Sequence, residues 1–156
     1  MDQLFELALC LKAGQRGIER VMNEALEPLG ITAAQADAIT VIGQAEPLSL
    51  KRLGDLLIAE AGHPSRLVDR LVGAGYVERL ASEDDRRRVV LSLTKSGRRL
   101  RAKIEEVRQE VLLLAHGLMG ERDIAPMLEL LLAMLEHTPY KELIDRRREL
   151  FDTPIG

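Results

Sequence analysis

The sequence has one cysteine, no tryptophan and only two tyrosines and two phenylalanines. A single cysteine, Cys10, cannot form a disulfide within the chain, and it agrees with a reducing compartment. Aromatic residues make up 3% of the chain while apolar residues make up 46%. The core must therefore consist of aliphatic side chains, and this composition favours a mainly α-helical protein.

Targeting segments are also missing. No segment approaches the roughly 18 to 20 consecutive apolar residues that a membrane helix needs, and the first residues lack the basic region of a signal peptide. We therefore expect a cytoplasmic protein that does not bind membranes. Its 156 residues are enough for one domain with a sizeable core and too few for two ordinary domains.

The sequence shows no catalytic motif. It has no Ser–His–Asp arrangement, no phosphate-binding glycine loop and no paired carboxylates in a stable context. Its three histidines, His63, His116 and His137, are far apart and have no cysteine or acidic residue at metal-ligand spacing. The sequence therefore predicts neither an enzyme nor a metal site, and it indicates no cofactor.

Acidic residues exceed basic ones, so the net charge is −3. This overall charge argues against a nucleic-acid-binding protein. The distribution indicates the opposite, because residues 86–101 contain seven basic residues and no acidic one. These are Arg86, Arg87, Arg88, Lys95, Arg98, Arg99 and Arg101. Local charge determines where a polyanion docks, so this segment predicts a contact with nucleic acid.

Helical periodicity predicts long helices at both ends of the chain and short helices between them. The predicted helices cover residues 2–28, 33–44, 50–57, 63–73, 95–116, 140–151 and a segment that begins at 121 or 124 and ends at 137. Thr32, Ser49 and Thr94 are candidate N-caps, and Gly117 and Gly120 are candidate helix breaks. The candidates to face the core from the second helix are Ala36, Ile39, Thr40 and Ile42.

The middle of the chain has the pattern of a helix-turn-helix followed by a β-hairpin. In the helix at 63–73 the apolar residues share one face, and Ser65, Arg66 and Arg70 lie on the other. Two strand-like segments, 76–80 and 89–93, flank a polar tip at 81–88 that is rich in arginine. This is the layout of a winged helix-turn-helix, which fits the two grooves of a DNA duplex.

The long apolar helices at the chain ends exceed what one copy can bury. We therefore predict a homodimer within a single domain, 1–156, in which residues 1–30 and 104–156 form the dimerisation helices. Residues 31–103 then form the winged helix-turn-helix lobe. Twofold symmetry would place two recognition helices about one helical turn of DNA apart, so the predicted target is an inverted repeat.

Candidate DNA-contacting residues lie on the recognition helix and on the helix before it. Arg66 and Ser65 are in the first turn, where side chains reach base edges, and the guanidinium fork of arginine matches guanine. Arg70, one turn later, is expected to meet phosphate or a neighbouring acid. Lys51 and Arg52, after Ser49, are candidates for phosphate contacts, with a plain N-cap as the alternative role of Ser49.

The hairpin tip supplies a second group of candidates. Arg86, Arg87 and Arg88 can enter the minor groove, whose narrow form concentrates negative potential. At least one of Asp84 and Asp85 is expected to aim an arginine through a salt bridge. The four basic residues after the second strand either extend the phosphate contacts or form a solvated face; they are Lys95, Arg98, Arg99 and Arg101.

Several segments together resemble the MarR (multiple antibiotic resistance regulator) family of winged-helix transcription factors. They are Leu29-Gly-Ile-Thr-x-x-Gln35, Pro47-Leu-Ser-Leu with Leu53, Ser65-Arg-Leu-Val-Asp-Arg-Leu71, Gly75-Tyr-Val-Glu-Arg79, and Asp85-Arg-Arg followed by Leu-Ser-Leu-Thr94 and Gly97. The resemblance covers about residues 29–104. The ordered series is specific although each piece alone is weak.

The resemblance implies a homodimer that represses its own or neighbouring genes. It also implies that DNA is released when a small aromatic or phenolic acid binds between the dimer region and the winged lobe. By position, His63, Pro64, Ser65 and Arg66 match the start of the recognition helix of the family. Arg87 matches its minor-groove arginine and Asp85 the residue that braces this arginine.

Two alternatives remain open. One branch of the family senses organic hydroperoxides through a cysteine in the first helix, so the chain could be a thiol-based redox regulator acting through Cys10. However, Cys10 lies two residues late in the alignment and the supporting tyrosines are absent, which argues against this role. The other alternative is a winged-helix protein-interaction module without DNA binding, against which the basic segment counts.

Overall fold

The computed structural model describes residues 2–58, 64–82 and 88–152, which form helices around a small antiparallel sheet. The elements are α1 (Gln3–Leu26), a 3₁₀ turn (Glu27–Leu29), α2 (Ala33–Ala45), α3 (Leu50–Gly54), α4 (Pro64–Gly73), β1 (Val77–Ala81), β2 (Val89–Leu93), α5 (Lys95–Met119), α6 (Ala125–Leu135) and α7 (Pro139–Asp152). The predicted fold class, mainly α with a small β-wing, is confirmed.

Three helices begin at the predicted N-caps. The Thr32 hydroxyl accepts a hydrogen bond from the Gln35 amide (3.2 Å), and the Gln35 side chain accepts one from the Thr32 amide (2.9 Å). This reciprocal capping box satisfies two amides that the first turn of α2 leaves without helical partners. Ser49 and Thr94 cap α3 and α5 through their side-chain oxygens.

The predicted ends of α3 and α5 are wrong. α3 ends at Gly54 rather than at residue 57, because Leu56 donates to the carbonyl of Leu53 (3.0 Å) and tightens the chain into a turn. α5 continues through Gly117 to Met119, since one glycine within a helix costs only about 1 kcal/mol relative to alanine. It ends at Gly120, whose φ of 60° stops the helix.

The β-hairpin pairs Val77 with Leu93 and Ala81 with Val89 in antiparallel register. The first strand starts one residue later than predicted, because the Tyr76 amide donates to the carbonyl of Leu71 (3.0 Å) and so still closes α4. Gly75 makes this closure possible with a φ of 75°. The wing therefore follows directly from the end of α4.

The core lies mostly within residues 31–103, the predicted winged lobe. Its largest fully buried side chains come from seven of the helices and strands, and the four residues predicted to face inward from α2 are all buried. The fully buried side chains include Leu26, Ile39, Ile42, Leu53, Leu71, Leu91, Leu93 and Ile104. α1 contributes only Leu26 to this core, and α6 buries no residue at all.

The chain ends carry much exposed apolar surface in one copy of the chain. On α1 and α5, Phe5 and Leu113 are 64% and 71% exposed, and α6 exposes Met127 and Leu130. Within the described residues, no helix combines the length and the apolar character needed to cross a membrane.

Candidate nucleic-acid interface

α4 is amphipathic in the way that its sequence predicts. Pro64 occupies its first position, where the missing amide hydrogen costs nothing. Val68 and Leu71 are buried against the rest of the lobe, whereas Arg66 and Arg70 are exposed. One face of α4 is thus held by the core and the other faces solvent.

The exposed face of α4 carries Arg66 and Arg70. In the described part of the chain, neither Arg66 nor Arg70 has an ion-pair partner. Arg66 lies in the first turn beside Ser65, which is half-buried. The predicted base-contacting side chains are therefore placed together at the start of the helix, while His63 lies outside the described residues.

An ion pair that the sequence did not reveal joins α4 to the wing. Arg79, on β1, donates to the carboxylate of Asp69 on α4. Both side chains are largely exposed, so the pair contributes at most about 1 kcal/mol to stability. Its effect is geometric, because it links α4, the predicted recognition helix, to the first strand of the hairpin.

α3 presents two exposed cations beside α4. The Ser49 hydroxyl accepts a hydrogen bond from the Arg52 amide (3.1 Å), so Ser49 acts as the N-cap. The side chains of Lys51 and Arg52 point into solvent. α3 also packs closely on α4, since a side chain at Gly54 would lie 3.3 Å from the ring of Pro64.

The wing is described up to the edges of its tip. The Ser82 amide donates to the carbonyl of Arg88 (2.8 Å), which extends the hairpin pairing beyond the two strands. Arg88 is exposed. Asp84, Asp85, Arg86 and Arg87 lie outside the described residues, so the minor-groove contact and its brace stay predictions.

Glu46 connects the end of α2 to the wing and to α5. Its carboxylate accepts hydrogen bonds from the Ser92 hydroxyl and the Leu93 amide, both 2.6 Å, and it forms an ion pair with Arg98. Leu48, two residues later, exchanges backbone hydrogen bonds with Leu91. The base of the hairpin is therefore fixed to the helical lobe from two directions.

Arg101 is also used within the fold. It donates to the carbonyl of Gly43 (2.6 Å) and to the side chain of Gln44 (2.7 Å). Burial lowers the pKa of Arg101, and the nearby charge of Arg98 lowers it further although Glu105 acts in the opposite direction. Arg101 therefore fits neither prediction for the basic segment, that is, neither phosphate contact nor a solvated face. Lys95 and Arg99 remain exposed.

A groove of about 570 Å³ lies between α2, α5 and α7. It is lined by Thr40, Gln44, Arg98, Arg101, Ala102, Glu105, Arg108 and Phe151. Its three arginines face Glu105 in the lining and Glu46, which pairs with Arg98, so the groove is weakly basic. A second cavity of about 650 Å³, at the junction of α1 and α2, is lined instead by Glu19, Glu24 and Glu27, which disfavours an anion there.

Cys10 is exposed on α1 in one copy of the chain. It lies in the first helix, far in sequence from the candidate interface at 49–88. The redox role of Cys10 therefore stays an alternative prediction.

Comparisons with known proteins agree with this architecture. Residues 31–97 match a family model described as a winged helix DNA-binding domain. The multiple antibiotic resistance protein MarR of Escherichia coli strain K12 is 40% identical over 79 residues, which are 51% of this chain and 55% of MarR. The matched region thus spans about half the length of this relative.

Solved structures extend the similarity to most of the chain. Wild-type MarR from E. coli in its apo form has 30% sequence identity and a TM-score of 0.68, with 83% of this chain and 96% of that chain covered. A mutant MarR from E. coli complexed with operator DNA has 28% identity and a TM-score of 0.76, covering 85% and 96%. Since the similarity reaches from the winged lobe to the flanking helices, the chain belongs to the MarR family of winged-helix transcriptional regulators.

Proposed function

We propose that the protein is a homodimeric, cytoplasmic repressor that binds an inverted-repeat operator and is released from it by a small aromatic acid. The observation that carries the proposal is the exposed face of α4. Arg66 and Arg70 on this face have no ion-pair partner among the described residues, and α4 is joined to the wing by the ion pair of Asp69 with Arg79. The same scaffold occurs in a mutant MarR complexed with operator DNA.

In this proposal α4 lies in the major groove. Arg66 donates to guanine with Ser65 beside it, and His63 and Pro64 lie at the entry of the helix. Arg70, together with Lys51 and Arg52 near Ser49, contacts the phosphate backbone. The wing enters the minor groove through Arg86, Arg87 and Arg88, with Asp85 as the brace.

The dimer is supported by the apolar surface at the chain ends. Leu4 on α1 is 76% exposed and Leu118 on α5 is 82% exposed, while every residue of α6 remains at least partly accessible. A soluble monomer rarely exposes contiguous apolar surface on this scale. A second copy would cover it and would place two α4 helices on one face of the DNA.

The basic groove supports the proposed release by an aromatic acid. Among the described residues, Arg108 has Glu105 as its ion-pair partner at 3.9 Å, a long contact that leaves its guanidinium able to bind a carboxylate. Phe151 and Ala102 in the same lining can contact an aromatic ring. The groove joins α2 of the winged lobe to α5 and α7, so an occupant would contact both parts of the chain.

Selection of duplexes from a random pool, combined with light scattering, tests the proposal. We expect a dimer and an enriched inverted repeat whose half-site centres lie about 34–36 Å apart. Affinity for random duplex should fall steeply with added salt. A stable monomer, or the absence of any duplex binding, would contradict the proposal, and the second result would favour the protein-interaction module.

Replacing Arg108 by alanine is expected to reduce ligand release. Titration of 2-hydroxybenzoate into the complex with operator DNA should require about tenfold more ligand, because a charge-assisted hydrogen bond is lost. Fluorescence anisotropy of a labelled operator measures this. Arg148→Ala, which removes an exposed arginine of α7 outside the groove, is the control. Equal release by the neutral analogue benzyl alcohol would show that Arg108 does not bind the carboxylate.

A further inference from the structure

α7 packs one face on the winged lobe of its own chain. Leu143 is buried and Leu150 packs against the core, with Arg147 between them on the same face at helical spacing. The Leu150 carbonyl accepts a hydrogen bond from the Gln44 side chain of α2 (3.2 Å). α7 is thus a link between α6, which precedes it, and the winged lobe.

Arg147 forms the strongest polar contact of this link. Its guanidinium donates to both carboxylate oxygens of Asp37 on α2, at 2.6 and 2.9 Å. It also donates to the carbonyl of Leu56 (3.4 Å) and lies 5.6 Å from the centre of the Phe151 ring. The Arg147 side chain is only 18% exposed, so solvent screens the pair less than it screens the exposed ion pairs of the chain.

The partners of Arg147 matter because of where they lie. Asp37 belongs to the central helix of the winged lobe, and Leu56 is in the turn that follows α3, on the path to the recognition helix α4. A bidentate pair fixes the orientation of two groups as well as their distance. Arg147 therefore restricts how the winged lobe can rotate against the helices of the C-terminal part of the chain.

We infer that Arg147 is a positioning residue that sets the distance between the two recognition helices and hence the half-site spacing that the dimer accepts. The inference rests on the proposed function, since it needs a dimer that binds an inverted repeat. A dimer binds both half-sites at once only when the distance between its two α4 helices matches the distance between the half-sites. When the two distances differ, the gain in affinity from simultaneous binding is lost. Loosening the Arg147 contact should broaden the range of separations that the lobes sample.

Operators with altered centres test the inference. Starting from the selected operator, one or two base pairs are inserted or removed between the half-sites. The natural chain should lose at least about tenfold in affinity on these duplexes, because the two lobes no longer bind together. Arg147→Ala should bind the best operator more weakly, and its loss on the altered duplexes should shrink to less than about threefold.

Matched variants separate positioning from general destabilisation. Arg146→Ala removes the neighbouring arginine, whose ion pair with Glu142 stays within α7, and should keep the spacing profile of the natural chain. The exchanged pair, Arg147→Asp with Asp37→Arg, should restore the narrow profile. An unchanged spacing profile in Arg147→Ala would overturn the inference.

A distance measurement gives a second readout without DNA. A spin label at Ala74→Cys, in a Cys10→Ser background, reports the separation of the two α4 helices, since Ala74 follows α4 and is exposed. The distance distribution should be narrow in the natural pair and broad in Arg147→Ala. If both proteins are dimers and their distance distributions are equally narrow, the positioning role alone is refuted. If the natural chain is a monomer, the proposed function is refuted and the inference with it.

Discussion

Replacing Gly97 by alanine is expected to destabilise the fold by about 3 kcal/mol, because a side chain there has no space. A Cβ at Gly97 would lie 2.0 Å from the carbonyl oxygen of Tyr76 and 3.4 Å from the Cβ of Leu93. The Tyr76 carbonyl cannot move away easily, since it accepts a hydrogen bond from the Thr94 amide (3.0 Å) at the start of α5. The clash is with backbone, so a change of side-chain rotamer cannot relieve it.

Urea unfolding followed by circular dichroism measures this effect. Gly73→Ala is the matched control, because Gly73 is the last residue of α4, is exposed and would place its Cβ in open space. Its effect should stay within about 1 kcal/mol and should be stabilising if helix propensity dominates. Similar unfolding midpoints for the two variants would mean that α5 does not cross the start of β1 as closely as the structure has it.

Much of the fold could be predicted because its signals are local. The apolar spacing of α2, the N-caps at Thr32 and Thr94 and the strand patterns on either side of the wing each involve residues close in sequence. The errors in helix length have a local cause as well. The residue type of Gly117 predicts a helix break, but the backbone of α5 stays helical at this position. The sequence does not reveal which of the two conformations Gly117 adopts.

The contacts that orient the candidate site could not be predicted. Asp69 pairs with Arg79 across two elements, and Asp37 pairs with Arg147 across 110 positions. Such pairs depend on how helices and strands pack in three dimensions, and no spacing rule identifies them. The basic segment shows the same limit, because sequence alone could not tell that Arg101 is directed into the fold while Arg99 is exposed.

Arg66→Ala is expected to weaken binding to the selected operator by about 1–3 kcal/mol, because one bidentate contact with a guanine is lost in each half-site. The preference at one base position of each half-site should relax. Binding to random duplex should change little, since Arg66 contributes mainly to base recognition in this proposal. Anisotropy titrations on the operator, on its single-base variants and on random duplex measure the three quantities together.

Lys51→Ala provides the contrast that gives the Arg66 result its meaning. Lys51 is exposed on α3 and is proposed to contact phosphate, so its loss should weaken all duplexes alike and reduce the salt dependence by about one counterion per subunit. If Arg66→Ala also weakened operator and random duplex by the same factor, both residues would act through charge alone. The major-groove assignment of α4 would then be wrong, even though the protein would still bind DNA.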